Sequence, residues 1–369
     1  MPPILPWLTL KSVPGIGPIL ASRLIRHFGS PQAVLEAPEV ELAAVRGVGR
    51  ELARAIRRHT TPGWVVREID RIQRRGYRIL TLPDRDYPPL LREIADPPAL
   101  LYVYGALAPD AASIAVVGSR KATSYGLTTA RRLCEGLAAR GITVVSGMAL
   151  GIDTAAHEGA LAGGGRTVAV LGTGLECVYP PRNKALFERI AQCGAVITEF
   201  ALDACPEPHH FPVRNRIISG ICLGTVVVEA AQRSGSLITA RLAGEQGREV
   251  YAVPGSVHAA NSHGTHALIK QGAKLVQDVD DIIEEIRHLV SSGIGTPAGP
   301  ERGETARRPE LTAEEASLMA ALGPYPVHID DLSRTLRQDS RRIASLLVRL
   351  EIKGIAQRQS GNYYLRSIE

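Results

Sequence analysis

The sequence predicts an α/β protein: a parallel sheet with helices on both faces, a small helical domain before it, and three helices with a hairpin after it. Three observations predict this. Residues 113 to 290 alternate short apolar runs with amphipathic stretches, the pattern of parallel strands joined by helical crossovers. Two turns of one form open the chain, Val13-Pro14-Gly15-Ile16-Gly17-Pro18-Ile19-Leu20 and Val45-Arg46-Gly47-Val48-Gly49-Arg50-Glu51-Leu52, each entering an amphipathic helix. Beyond a segment rich in glycine, proline and charge, three helical stretches lead to an alternating sequence broken by Ser360-Gly361-Asn362.

In chain order, residues 1–63 read as a helical helix-hairpin-helix (SAM-like) domain. Its glycine turns expose backbone N–H groups at a helix start, an arrangement able to hold a DNA phosphate, although similar turns also serve packing and protein contacts. From Trp64 to Pro109 the chain is proline-rich, with Tyr87-Pro88-Pro89 and Asp96-Pro97-Pro98. Prolines argue against a long helix here, so this stretch is expected to add strand and loop to the next unit. Residues 64–290 then form one extended Rossmann-like domain. Its strands are expected at 114–117, Ile142–Val145, Thr167–Leu171, Ala195–Thr198, Thr225–Val228 and Glu249–Val253. Residues 291–308 read as a flexible linker. In 309–369, helices at Ala313–Leu322, Ile329–Leu336 and Ser340–Lys353 and a hairpin over 355–365 make a winged helix.

With 369 residues and 45% hydrophobic content, the chain can bury at least one large core. It has no apolar run of about 18 residues and no charged start followed by an apolar leader, so a soluble, cytoplasmic protein without membrane contact is expected. The five cysteines, Cys134, Cys177, Cys193, Cys205 and Cys222, show no C-x-x-C or zinc spacing and are expected to be reduced packing residues. The net charge of +6 is modest. Residues 1–75 carry twelve Lys/Arg against six Asp/Glu, 111–290 seventeen against sixteen, and 309–369 eight against eight. Such basicity is compatible with nucleic acid without proving it.

Ligands of open α/β sheets gather at the carboxyl ends of the strands, so the segments after each strand carry the functional expectation. The first is Gly118-Ser119-Arg120-Lys121-Ala122-Thr123. It lacks the G-x-G-x-x-G that lets a backbone approach a dinucleotide pyrophosphate, which argues against NAD and leaves no cofactor expected. A hydroxyl, two cations and a helix start still suit a phosphate-rich ligand. The later strand ends bring Ser146–Asp153, Arg182 and Asn183, the segment His209–Arg216, and Glu229 through Ser236. Arg120, Arg182, Arg214 and Arg216 are expected to line one groove with Phe211 as a stacking platform. Ser119, Asn183, Asn215, Ser234 and Ser236 would add neutral donors.

Asp153 and His157 stand four apart on one helix, a metal-ligand spacing with no third ligand in view. His209, His210, His258, His263 and His266 scatter irregularly, and no zinc site is expected. No G-x-S-x-G or Walker loop is present. After the last strand, Gly264–Leu275 is expected to form a short helix at the sheet edge, where an apolar face can make a two-fold contact.

These residues carry a resemblance. Val-Val-Gly-Ser-Arg (116–120), Ser-Gly-Met-Ala-Leu-Gly-Ile-Asp with His157 (146–157), Tyr-Pro-Pro-Arg-Asn (179–183), Phe-Pro-Val-Arg-Asn-Arg-Ile-Ile-Ser-Gly (211–220) and Val-Val-Glu-Ala with Ser-Gly-Ser-Leu-Ile-Thr-Ala (227–240) resemble the DNA-processing protein A family, DprA/Smf. The resemblance spans about residues 64 to 290, and the flanking domains look like accessory domains that some members carry. It implies a homodimer, not an enzyme, that binds and protects single-stranded DNA and helps load RecA recombinase in natural transformation or recombinational repair. Carried over residue by residue, Ser119, Arg120, Asn183, Phe211, Arg214, Asn215, Ser234 and Gly235 match its DNA-contacting stretches, and Gly118, Arg182, Arg216 and Ser236 beside them are expected to contact DNA as well. The helix around Ile269 and Leu275 matches its dimer edge, and His266 stands where many members place Asn. Duplex contact through the flanking domains stays open.

Two other readings compete. The glycine loops Ser146–Asp153 and Ser234–Thr239 distantly resemble nucleotide phosphoribohydrolases, but Arg-Ser-Gly-Ser-Leu-Ile-Thr (233–239) replaces their P-G-G-x-G-T loop. Arg341, Arg342 and Arg349 on the third helix of the winged helix would suit a transcription regulator reading duplex DNA.

Overall fold

The computed structural model describes residues 4–289, 311–323, 326–359 and 361–366; the expected linker, 291–308, lies outside them. The chain divides into two compact units, residues 1–121 with 130–295 and residues 122–129 with 296–369.

In the first unit, nine strands form one sheet: β1 Arg78–Thr81, β2 Leu100–Gly105, β3 Ser113–Gly118, β4 Thr143–Ser146, β5 Thr167–Val170, β6 Ala195–Thr198, β7 Gly224–Val228, β8 Glu249–Ala252 and β9 Lys274–Leu275. Their order is β1-β2-β6-β5-β4-β3-β7-β8-β9. β3 to β9 pair in parallel, while β1 and β2 join as antiparallel additions beside β6. Ile114–Val117 and Val226–Val228 are wholly buried, as unbroken apolar strands must be when helices cover both faces. The six expected strands all form within a residue or two of their expected ends. From β3 the chain winds outward through β4, β5 and β6, then returns to the other side of β3 to add β7 and β8. Connections therefore diverge between β3 and β7, the place where such a sheet opens a crevice.

The expectation that residues 64–109 lack a long helix is corrected: Gly63–Arg75 is a 13-residue helix. The prolines lie beyond it, since none occurs between Gly63 and Leu82. Val65, Ile69 and Ile72 repeat at helical spacing, Val65 and Ile72 are buried, and Gly76 ends the helix at φ 67°.

The two opening hairpins pack reciprocally. Gly15 and Gly47 adopt φ of 89° and 94°. The Cβ position of Gly15 lies 3.4 Å from Leu52, and that of Gly47 lies 3.7 Å from Leu20, so equivalent leucines of the two echoes fill each other's turns. This helical segment shares one buried cluster with the sheet, running from Trp7 and Leu24 through Leu101 and Ile197 to Ala240.

The second unit holds helices Ala313–Ala321, Ile329–Leu336 and Ser340–Ile352 and a sheet of β10 Val327–His328, β11 Ala356–Gln359 and β12 Tyr363–Arg366 in the order β10-β12-β11. Leu318, Leu332, Ile343, Leu347, Leu350 and Tyr364 form its core. This is the winged helix that the helix spacing predicts.

Candidate nucleic-acid groove

The crevice beside β3 is a groove of about 870 Å³. β3 enters it at Gly118, where an added Cβ would stand 1.9 Å from the Val228 carbonyl oxygen; β3 and β7 approach too closely for any side chain. Ser119 then seats on the next crossover, its carbonyl accepting from the Ile152 N–H at 3.1 Å. Gly151, at φ 81°, leaves room for that loop, since its Cβ would lie 2.3 Å from the Ser119 oxygen. Arg120 is thereby carried outward and is exposed.

Arg214 sits on the helix His210–Ile221 and points the other way. Its Nη1 donates to the carbonyls of Gly147 (2.7 Å) and Val170 (2.5 Å), occupying the space that a side chain at Gly147 would need. Burial lowers its pKa to about 10, with the Asp153 charge opposing the fall, so it stays a cation at neutral pH. Asp153 is itself buried in the groove wall. Burial raises its pKa, while Arg214 and the Ala149 N–H, at 3.3 Å, favour the carboxylate.

Phe211, one turn before Arg214, covers Gly172. The guanidinium of Arg120 lies 5.3 Å from its ring centroid and that of Arg214 5.9 Å away. Tyr179 adds a second ring at 6.0 Å, inclined by 50°. These side chains also close a recess of about 100 Å³ beside the groove. Across the groove, Ser234 caps the helix Gly235–Glu245, its Oγ accepting from the Ser236 N–H and lying 2.8 Å from the Ser236 Oγ. Asn215 reaches the Gly235 carbonyl at 3.5 Å.

Of the twelve expected DNA-contacting residues, nine line the groove: Gly118, Ser119, Arg120, Phe211, Arg214, Asn215, Ser234, Gly235 and Ser236. Three do not. Arg216 faces the opposite side of its helix, because two residues along a helix turn about 200°. There it pairs with Glu199 at 2.5 Å and Asp96 at 3.3 Å and is 5% exposed. Asn183 is buried, and its amide donates to the Met148 carbonyl and to Thr154, both at 2.9 Å. It therefore fastens a turn in which Met148 takes φ 57°, a conformation costly without a side chain to hold it. Arg182 is exposed on the short turn Pro181–Asn183 and does not line the groove.

Lys121, one of the two cations expected to suit a phosphate, lines the groove, as do Asp153, Tyr179 and Arg233, which lie in the segments expected to carry function but are not among the expected DNA contacts. Arg233 and Lys121 adjoin expected residues and carry charge, which is a legible signal. Tyr179 and Asp153 depend on loop paths that spacing does not reveal. Among the described residues no carboxylate forms an ion pair with Arg120, Lys121 or Arg233. With Arg214 they give the groove four cations against the one carboxylate of Asp153.

Asp153 and His157 do not act together. His157 is fully buried, its Nδ1 lies 2.7 Å from the Thr167 hydroxyl, and burial pushes its pKa down to about 3. At the far edge, the expected helix over Gly264–Leu275 is shorter: His263–Lys270 is helical, and the chain then turns to place Leu275 on edge strand β9. Gly272, at φ 103°, makes that break. Leu275 is 41% exposed, Ile269 is half-buried, and His266 turns inward with its Nε2 3.1 Å from the Gly255 carbonyl. The cysteines are not uniform packing residues either: Cys134 and Cys222 are buried, but Cys193 and Cys205 are exposed.

The sheet domain and the segments on either side of it have counterparts in known proteins. The model for DNA recombination-mediator protein A matches residues 78–287, the DprA winged-helix model matches 302–362, and a SAM-like tandem helix-hairpin-helix model matches 8–59. Protein Smf of Synechocystis sp. is 32% identical over 392 residues, with 98% of each chain covered. The X-ray structure of DNA processing protein A from Streptococcus pneumoniae aligns with a TM-score of 0.68 at 36% identity, covering 76% of this chain and 96% of that one. DNA processing protein A from Helicobacter pylori, described for its single-stranded DNA binding mode, aligns with a TM-score of 0.53 at 28% identity, covering 58% and 97%. Matched in all three of its segments and along its full length, the chain belongs to the DNA recombination-mediator protein A family, DprA/Smf.

Proposed function

We propose that the groove binds single-stranded DNA, and that the protein uses it to shield incoming or exposed strands and to help load RecA recombinase in transformation or recombinational repair. One observation carries the reading: three exposed cations, Arg120, Lys121 and Arg233, and two aromatic rings meet in a single groove, with the buried Arg214 behind them and short polar groups around them. A strand of any sequence needs such a surface, because phosphates are neutralised by cations while bases stack on rings without their edges being read. Duplex DNA keeps its bases stacked internally and offers no face to Phe211. The single-stranded DNA binding of the Helicobacter relative supports this assignment.

In this reading the protein binds and hands over its strand, and makes or breaks no covalent bond. Leu275 and Ile269 lie at the sheet edge and suit a homodimer contact, which would set two grooves on one strand and raise avidity. The winged helix and the opening hairpins would then supply further contacts, to duplex or to protein.

The test is fluorescence anisotropy with labelled single-stranded and duplex oligonucleotides over a salt series. Three phosphates neutralised by Arg120, Lys121 and Arg233 give a log–log salt slope of roughly −2 for a single strand. Deletion of 309–369 should leave this binding in place. Equal affinity for duplex, or loss of all binding on that deletion, would move the site away from the sheet. RecA loading is read separately, as faster RecA filament growth on strands already coated by a single-strand-binding protein. Release of free base from nucleoside monophosphates would instead favour a phosphoribohydrolase.

A further inference from the structure

We propose that Glu207, His209 and His210, at the rim of the groove, form a binding site for a divalent transition-metal ion of the zinc type. Each offers one ligand atom, and these atoms lie within 4.8 Å of one another, the only such group of histidine, cysteine and acidic residues among those described. Glu207 Oε2 and His209 Nδ1 are 3.4 Å apart. Ligands on two corners of a zinc tetrahedron, with bonds of about 2.0–2.1 Å, are separated by about 3.3 Å, so this pair already stands at the required spacing. His210 Nδ1 is shielded from solvent and has no hydrogen-bond partner, so no hydrogen bond at that nitrogen holds this imidazole in another role.

The local sequence favours the arrangement. Pro206 and Pro208 flank Glu207 and fix backbone φ on both sides, so little freedom is lost when the ligands close. Phe200 stacks on the His210 ring at 4.0 Å, and the His209 ring meets it edge-on at 4.5 Å, which restrains both imidazoles. His210 begins the helix that carries Phe211 and Arg214. The positive end of that helix opposes a cation, but two imidazoles and a carboxylate outweigh a partial charge that solvent screens. Two borderline imidazole nitrogens beside a single hard carboxylate suit Zn²⁺, Co²⁺ or Ni²⁺ better than Mg²⁺ or Ca²⁺, which prefer all-oxygen sites. Three protein ligands leave a fourth position for water. The ion would clamp the loop Asp203–His209 onto the helix start and add charge beside Pro206 and Pro208, which line the groove.

The experiment is calorimetric titration of the untagged full-length chain with Zn²⁺, repeated with Co²⁺ while the visible d–d absorption is followed. The expected result is one saturable equivalent per chain and a Co²⁺ band of tetrahedral intensity. Glu207→Gln with His209→Ala should weaken binding at least 30-fold at unchanged Tm, because both side chains are exposed. His210→Gln should weaken it as well, and Cys177→Ser with Cys205→Ser should change nothing. Absence of saturable uptake, uptake that survives loss of Glu207 and His209, or loss of uptake in the cysteine variant would each overturn the assignment. Because the readout is metal uptake without DNA, it stands or falls apart from the DNA-binding reading.

Discussion

Arg120 and Arg216 look alike in the sequence, yet the structure gives them opposite consequences on removal. Arg120 is exposed and rests near the Phe211 ring. Arg120→Ala removes one phosphate contact, which should weaken single-strand binding about 10-fold, or about 1.4 kcal/mol, and make the salt slope shallower by about 0.7. Its Tm should fall by no more than about 1–4 °C, since nothing buried loses a partner and only a cation–π contact of about 0.5–1 kcal/mol with Phe211 is lost. Arg216 is the reverse case. Arg216→Met leaves the buried Glu199 with only the nearby Lys11 charge and releases the partly exposed Asp96, and removing one partner of a buried pair costs about 3–5 kcal/mol. Burial already raises the Glu199 pKa, so protonation of that group holds the loss near the lower end. At about 2–4 °C per kcal/mol for a unit of this size, Tm should fall by roughly 6–12 °C, while the salt slope of the folded fraction is unchanged. Anisotropy over a salt series and thermal unfolding measure both variants. A shallower slope for Arg216→Met, or a large loss of Tm for Arg120→Ala, would refute the placement of these side chains.

Phe211→Ala should cost one stacked base, about 1–3 kcal/mol, without altering the salt slope; anisotropy shows whether affinity falls while the slope holds. His157 supplies a pH dependence. Its folded pKa is depressed to about 3 against about 6.5 unfolded, so between those values the unfolded chain binds the extra proton and stability falls as pH falls. From pH 7.5 to pH 5 the loss is about 2 kcal/mol, and urea unfolding at the two pH values should show His157→Gln lacking that part of the difference. Gly118→Ala should prevent stable folding, because its Cβ would overlap the Val228 carbonyl. Gly235→Ala, with nothing within 4 Å of the new methyl, should leave Tm within about 1 °C by thermal scan.

Much of the groove is legible because strand ends can be read from apolar runs, and α/β sheets place ligands there. The Gly118 turn, Arg120 and the Ser234–Ser236 turn follow from that rule alone. The segment Phe211–Arg216 is located by the same rule but not resolved by it. The rule sets both arginines in one groove, whereas the segment belongs to a helix that sends Arg214 inward beneath Phe211 and Arg216 to the far face. Asn183, expected as a ligand donor, is instead a brace for the strained Met148 turn. The helix Gly63–Arg75 escapes sequence reasoning because the prolines after it mask the helical spacing of a proline-free stretch.

The sequence by itself determined the parallel sheet, the paired opening turns and the winged helix. Each rests on local periodicity and on residues such as glycine whose backbone options are intrinsic. Only the tertiary structure decided which cations face the ligand and which are consumed by buried carboxylates. That choice depends on contacts between segments far apart in the chain, such as Arg216 with Asp96 and Arg214 with Gly147. The same holds for the edge strand β9, whose two residues carry too little pattern to be read and exist because β8 offers them a partner.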